Sequence, residues 1–201
     1  MRLLFLSALF MSFALVFTSA VYAVSQDVEN EVRAMLDERD QEIKDLLGPE
    51  GAEYTDEQRQ ELMDIINEII DYRAMAKHAL DDTWDELSPE QRDEFVDVFA
   101  RVVRDQSLNS LDIYRADIRY ESFDVRDGGN RVTARTIATL QNVRTPVIYE
   151  LENRDGDWII IDMSIDSVST ADSYRRSFQR IINRRGYDAL LANLKNRAGI
   201  S

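Results

Sequence analysis

The chain contains no cysteine and a single histidine, His78. The first absence removes disulfides as a source of stability, and both together remove zinc sites built from Cys and His. A Ser–His–Asp triad would have to recruit His78, yet no G-x-S-x-G elbow accompanies it. Lying between Lys77 and Ala79 in a helical pattern, His78 reads as an exposed or hydrogen-bonded helical side chain. The seven glycines include no Walker-type or dinucleotide-binding spacing. Lysine is also scarce: of 24 basic residues, only Lys44, Lys77 and Lys195 are not arginine. Against them stand 38 Asp and Glu, for a formal net charge of −14. A chain this acidic should not bind nucleic acid or anionic membrane surfaces non-specifically. Carboxylates are so abundant that none stands out as a catalytic pair. Asp81-Asp82 and Asp155-Gly156-Asp157 match no EF-hand spacing and read as caps and turns. No catalytic residue, metal or cofactor is expected.

Long apolar runs are absent after the first few residues. The one that exists, Leu3 to Phe17, is shorter than the roughly 20 residues that span a bilayer. With Arg2 before it and the small-residue site Val21-Tyr22-Ala23 after it, residues 1–23 read as a cleavable secretory signal peptide. Without a cysteine at that site, lipoprotein anchoring is excluded. Residues 24–201 then suit one exported domain, stabilised by packing alone.

Periodicity divides that domain in two. Val28, Val32, Leu36, Ile43 and Leu46-Leu47 predict an amphipathic helix over 27–47, which Gly48-Pro49 breaks. Thr55 and Gln58 form a capping box before the apolar face of Leu62, Ile65, Ile66, Ile69 and Ile70. Ser88-Pro89-Glu90-Gln91 starts another helix, with Phe95, Phe99, Val102 and Val103 on its apolar side. From Ile118 the period changes to two. Four strands are expected around 118–125, 132–140, 147–151 and 158–165, with Asp127-Gly128-Gly129-Asn130 as a hairpin turn. Ile159, Ile161, Met163 and Ile165 should share a face of the fourth. An amphipathic helix ending at Gly186 and a short closing helix follow. The fold class is α+β: a four-stranded antiparallel meander with N-terminal and C-terminal helices packed on it.

Two stretches resemble a known family. One is Asp71-Tyr72-Arg73-Ala74-Met75-Ala76, Ala79-Leu80, Trp84 and Ser88-Pro89-Glu90-Gln91-Arg92, followed by Phe95, Phe99, Leu111 and Tyr114. The other runs from Trp158 through Asp162 and Val168-Ser169 to Tyr174-Arg175, Phe178, Gly186 and Leu190-Leu191. Their order and spacing are similar to those of the MlaC family, the periplasmic phospholipid-binding component of the Mla lipid-transport system. The resemblance spans roughly residues 28–196, although family members often present basic patches and this chain is acidic. It implies a periplasmic, monomeric carrier whose sheet and helices enclose an apolar cavity, as in an NTF2-like cone. It also implies partners: phospholipid, an inner-membrane Mla ABC transporter complex and an outer-membrane lipoprotein complex. Carriage between them would maintain outer-membrane lipid asymmetry.

By helix and strand phase, Phe95, Phe99, Val103, Tyr114, Tyr120, Ala134, Tyr149, Ile161, Met163 and Phe178 are the candidates to face that cavity. The small side chains Ala134, Thr136 and Ala138 leave room for a ligand. Two other classes compete with the carrier. One is an NTF2-like-cone enzyme using a carboxylate or tyrosine as acid or base. The other is a structural adaptor with a filled core.

Overall fold

The computed structural model describes residues 7–48, 53–108 and 111–200, without the side chains of 7–24, 106–108 and 111–112. Helix α1 (Ser7–Leu47) leads into α2 (Asp56–Glu68), α3 (Tyr72–Leu80), the single turn α4 (Thr83–Glu86) and α5 (Pro89–Leu108). A 3-10 turn (Leu111–Arg115) opens the sheet, formed by β1 (Asp117–Arg126), β2 (Arg131–Leu140), β3 (Val143–Arg154), β4 (Asp157–Ile165) and β5 (Val168–Ser169). Helices α6 (Thr170–Arg185) and α7 (Tyr187–Arg197) close the chain. Residues 1–6 of the expected signal peptide lie outside the described residues, and α1 runs unbroken across the expected cleavage site. Among the described residues, no helix is long and apolar enough to cross a membrane.

Local chemistry sets the helix ends. The Thr55 hydroxyl accepts from the Gln58 amide at 3.2 Å while the Gln58 side chain accepts from the Thr55 amide at 3.0 Å, the reciprocal capping box. Ser88 and Gln91 repeat it at the start of α5, at 2.9 and 3.3 Å. Helix α6 is capped twice: Ser169 Oγ accepts from the Asp172 amide at 3.0 Å, and Asp162 of β4 accepts from the Ala171 amide at 3.0 Å. It stops at Gly186, whose φ of +83° disfavours a Cβ.

The sheet has five strands in sequential order, all antiparallel, rather than the four expected. The fifth is only Val168-Ser169, paired with Ile165 and Ser164. Two residues are too short to show a period. Their turn, Asp166-Ser167, has φ of +50° and +65°, and Gln141-Asn142 joins β2 to β3 the same way at +48° and +65°. Positive φ at both central positions matches the twist of the flanking strands and makes such tight hairpins.

Register assigns one face. Val125, Val132, Leu151 and Ile160 lie abreast, then Phe123, Ala134, Tyr149 and Met163, then Thr136, Val147, Ile165 and Val168, with Tyr120 beside Thr136. A β-bulge in β4 breaks the expected shared face of Ile159, Ile161, Met163 and Ile165. Ile160 opposes Leu151 and Asp162 opposes Glu150, so Ile161 is an extra residue that reverses the phase. Ile159 therefore sits across from Glu152, while Met163 sits across from Tyr149. Beyond β4, Ile160 exchanges backbone hydrogen bonds with the α2–α3 junction, Asp71 N to Ile160 O at 2.9 Å and Ile160 N to Ile69 O at 2.6 Å. That bridge fixes α3 beside the sheet.

Three apolar clusters result. Val32 and Leu36 of α1 pack on Val132, Ala134, Leu151, Trp158 and Ile160, covering one end of the inner sheet face. Ile43 and Leu47 of α1 pack with Leu62 and Ile66 of α2, with Tyr114 alongside. The largest cluster joins α3, α5, α6 and α7 around Phe95, Phe99 and Phe178. Phe178 meets Phe95 and Phe99 edge-on at 5.9 and 5.7 Å, the arrangement the ring quadrupole favours.

Candidate functional site

The ten cavity candidates fall into more than one of these clusters. Phe95, Phe99 and Phe178 form the helical core, with 0, 0 and 1 % of their surface exposed, and Val103 packs partly buried against them. Ala134, also 0 % exposed, lies in the sheet–α1 cluster with Tyr120 and Tyr149 at its margin. Tyr114 belongs to the α1–α2 cluster. Ile161 and Met163 are partly buried on β4. Four candidates therefore border no open space, and six keep some accessible surface.

What joins the clusters is a chain of phenols. Tyr174, Tyr72, Tyr114, Tyr149 and Tyr120 each lie within electrostatic reach of the next, linking α6, α3, the 3-10 turn, β3 and β1. Burial pushes Tyr72 up to about 12, with the Arg104 guanidinium working against it. Tyr149 is likewise pushed up to about 12, by burial first, then by the charge of Asp40 and by Tyr114. Burial also raises Tyr120 strongly, helped by its hydrogen bond to Asp37 Oδ1 at 2.9 Å. Phenols held this far above neutrality remain protonated, so they serve as hydrogen-bond donors and not as general bases. Sequence reasoning missed Tyr72, Asp37 and Asp40, because their approach to the sheet depends on how α1 and α3 pack. The helical phase of Tyr72 with Met75 and Ala76 is the one signal that placed it inward.

At the far end of the sheet the inner face changes character. Val143, Ile165 and Val168 there, and Ile113 on the 3-10 turn beside it, are exposed large apolar side chains, at 65, 40, 52 and 49 %. Strand direction puts all four at one end: Ile113 just before β1, Val143 opening β3, Ile165 closing β4 and Val168 opening β5. Among the described residues, no other large apolar side chain is as exposed.

A separate cleft of about 440 Å³ lies over α3 and α4, lined by Lys77, His78, Asp81, Asp82, Asp85 and Arg175 among others. There His78 Nε2 pairs with Asp172 Oδ1 at 2.8 Å, and Arg175 reaches Asp172 at 3.3 Å and Asp81 at 3.4 Å. Asp172 is held below the usual carboxylate range, chiefly by His78. The residues lining the cleft include no serine, threonine or cysteine to act as a nucleophile. His78 thus acts as a surface clasp between α3 and α6. Among the described residues, no group of three or more His, Cys, Asp or Glu side chains is placed to hold a metal ion.

A model of the MlaC protein family matches residues 26–196, nearly all of the chain after the expected signal peptide. The chain belongs to the MlaC family. No curated protein matches the sequence. Among solved structures, the chain is similar to a phospholipid-binding protein from Ralstonia solanacearum, determined in complex with a phospholipid. The two share 19 % identity over 87 % of this chain and 97 % of that one, with a TM-score of 0.69. At that identity the likeness establishes a common MlaC-type α+β fold.

Proposed function

We propose that this MlaC-family chain is a periplasmic carrier that binds phospholipid acyl chains between the inner sheet face and the helical layer. The observation that carries the reading is that inner face. It is apolar along its length, packs on α1 at one end, carries neutral phenols at its centre, and ends in exposed apolar side chains. Lipid needs such a surface. A diacyl chain pair has about thirty methylenes, each worth roughly 0.8 kcal/mol on leaving water, whereas the head group can stay wet. In this reading Val103, Tyr114, Tyr120, Tyr149, Ile161 and Met163 line the space, and Ala134, Phe95, Phe99 and Phe178 form the wall behind them. Ile113, Val143, Ile165 and Val168 would rim its mouth. The chemistry asks only for reversible binding, and neither catalyst nor cofactor enters.

The remaining parts of the proposal follow the signal-peptide pattern of the first residues and the family resemblance. Residues 1–23 direct export and are removed. The mature chain then shuttles as a monomer between an outer-membrane lipoprotein complex and an inner-membrane Mla ABC transporter complex, and so maintains outer-membrane lipid asymmetry. A second reading, an adaptor with a filled core, draws support from the full burial of Phe95, Phe99 and Phe178. Native mass spectrometry and solvent extraction of purified protein separate the two. Stoichiometric co-purified phospholipid supports the carrier; protein that neither retains nor takes up lipid from vesicles eliminates it.

A further inference from the structure

Tyr149 sits on the inner face of β3 between Ala134 and Met163, at the centre of the sheet. Elsewhere in the phenol chain, Tyr72 donates to Asn67 and Tyr120 to Asp37. Among the described residues, the Tyr149 hydroxyl has none. Nor does any buried side-chain nitrogen or oxygen there lack a partner, so this unpaired oxygen must open onto space a solvent molecule can reach. A hydroxyl set largely among apolar side chains is held best when water or a ligand accepts its hydrogen bond.

The electrostatics restrict what that something is. Asp40 of α1 acts on Tyr149 as a negative charge, damped by its ion pair along the helix. Asp40's own counter-ion, Lys44, is drawn to it at 2.8 Å along α1. An anionic carboxylate or phosphate would be repelled at this depth. A neutral acceptor flanked by hydrocarbon fits.

We infer that the Tyr149 hydroxyl donates a hydrogen bond to a carboxylic ester carbonyl of the bound lipid, at the junction between glycerol and acyl chain. The inference rests on the phospholipid reading above and adds a chemical selection to it. Tyr149 recognises ester-linked chains and sets how far they enter, while the phosphate stays outside.

The test compares two lipids on two proteins: a diacyl phosphatidylglycerol and its dialkyl-ether analogue of equal chain length, on wild type and Tyr149→Phe. The ether lacks the carbonyl, and phenylalanine lacks only the hydroxyl. Wild type should bind the diacyl lipid about 2- to 10-fold more tightly than the ether, the range of one hydrogen bond. Tyr149→Phe should lose that preference by weakening diacyl binding alone, with its melting temperature confirming an intact fold. Equal affinity of wild type for both lipids overturns the inference, and so does an equal loss for both in the variant. If wild type binds neither lipid, the carrier reading itself falls and takes this inference with it.

Discussion

Replacing Phe99 with alanine tests whether the helical layer is a solid wall or part of the binding space. Phe99 is fully buried, meets Tyr174 at 4.9 Å, Phe178 at 5.7 Å and Phe95 at 5.9 Å, and packs from α5 against α6. Removing a fully buried ring costs its transfer free energy plus the cavity left behind, about 3–5 kcal/mol. The three ring contacts favour the upper half of that range. For a domain of this size each kcal/mol lowers Tm by roughly 2–4 °C, so the melting midpoint should fall by about 6–20 °C. Circular dichroism melts of delipidated and lipid-loaded protein supply the measurement. The drop should be similar in both, because a wall residue contributes to the fold whether or not lipid is present. A variant that melts like wild type but holds less lipid would refute the reasoning, since Phe99 would then be contacting ligand and not protein.

Ala134→Trp should cost about 1–3 kcal/mol by overpacking, because Ala134 is fully buried in the cluster of the sheet and α1; unchanged stability in urea titration would mean that the sheet–α1 seam is open. Burial raises the phenols of Tyr72 and Tyr149 from 10.0 to about 12, so the folded chain holds their protons more tightly than the unfolded one. The stability this gives is complete below pH 10 and is lost as pH rises towards 12; phenolate absorbance during alkaline titration should show Tyr72 and Tyr149 ionising late, together with Tyr120 and Tyr187, whose phenols burial also raises. Ser88→Ala removes the side-chain acceptor at the start of α5 and should destabilise by about 1 kcal/mol, read from the same urea titration. Mass analysis of exported protein should give Val24 as the first residue; an intact Met1 would remove the cleavable signal peptide.

What the sequence determined by itself was every feature fixed by neighbours along the chain. Thr55 with Gln58 and Ser88 with Gln91 are three residues apart, and each cap satisfies its own helix end whatever the rest of the molecule does. Gly186 stops α6 by its own φ, and the period-two runs from Ile118 to Ile165 demand strands wherever they fold. The α+β class, and the residues that must be inside, followed from these. Tertiary structure alone decided features whose partners are distant. Val168-Ser169 becomes a strand only because β4 is beside it, and Ile161 becomes a bulge only because Leu151 and Glu150 fix the register on either side. Likewise His78 finds Asp172 of α6, and Asp40 of α1 reaches Tyr149 of β3. Periodicity records which side of an element is apolar. It does not record which apolar side meets which. Only docking of α1 on the sheet and of α3 beside β4 left Phe95, Phe99, Phe178 and Ala134 buried and the other six candidates partly accessible, and left the hydroxyl of Tyr149 without a protein partner among the described residues.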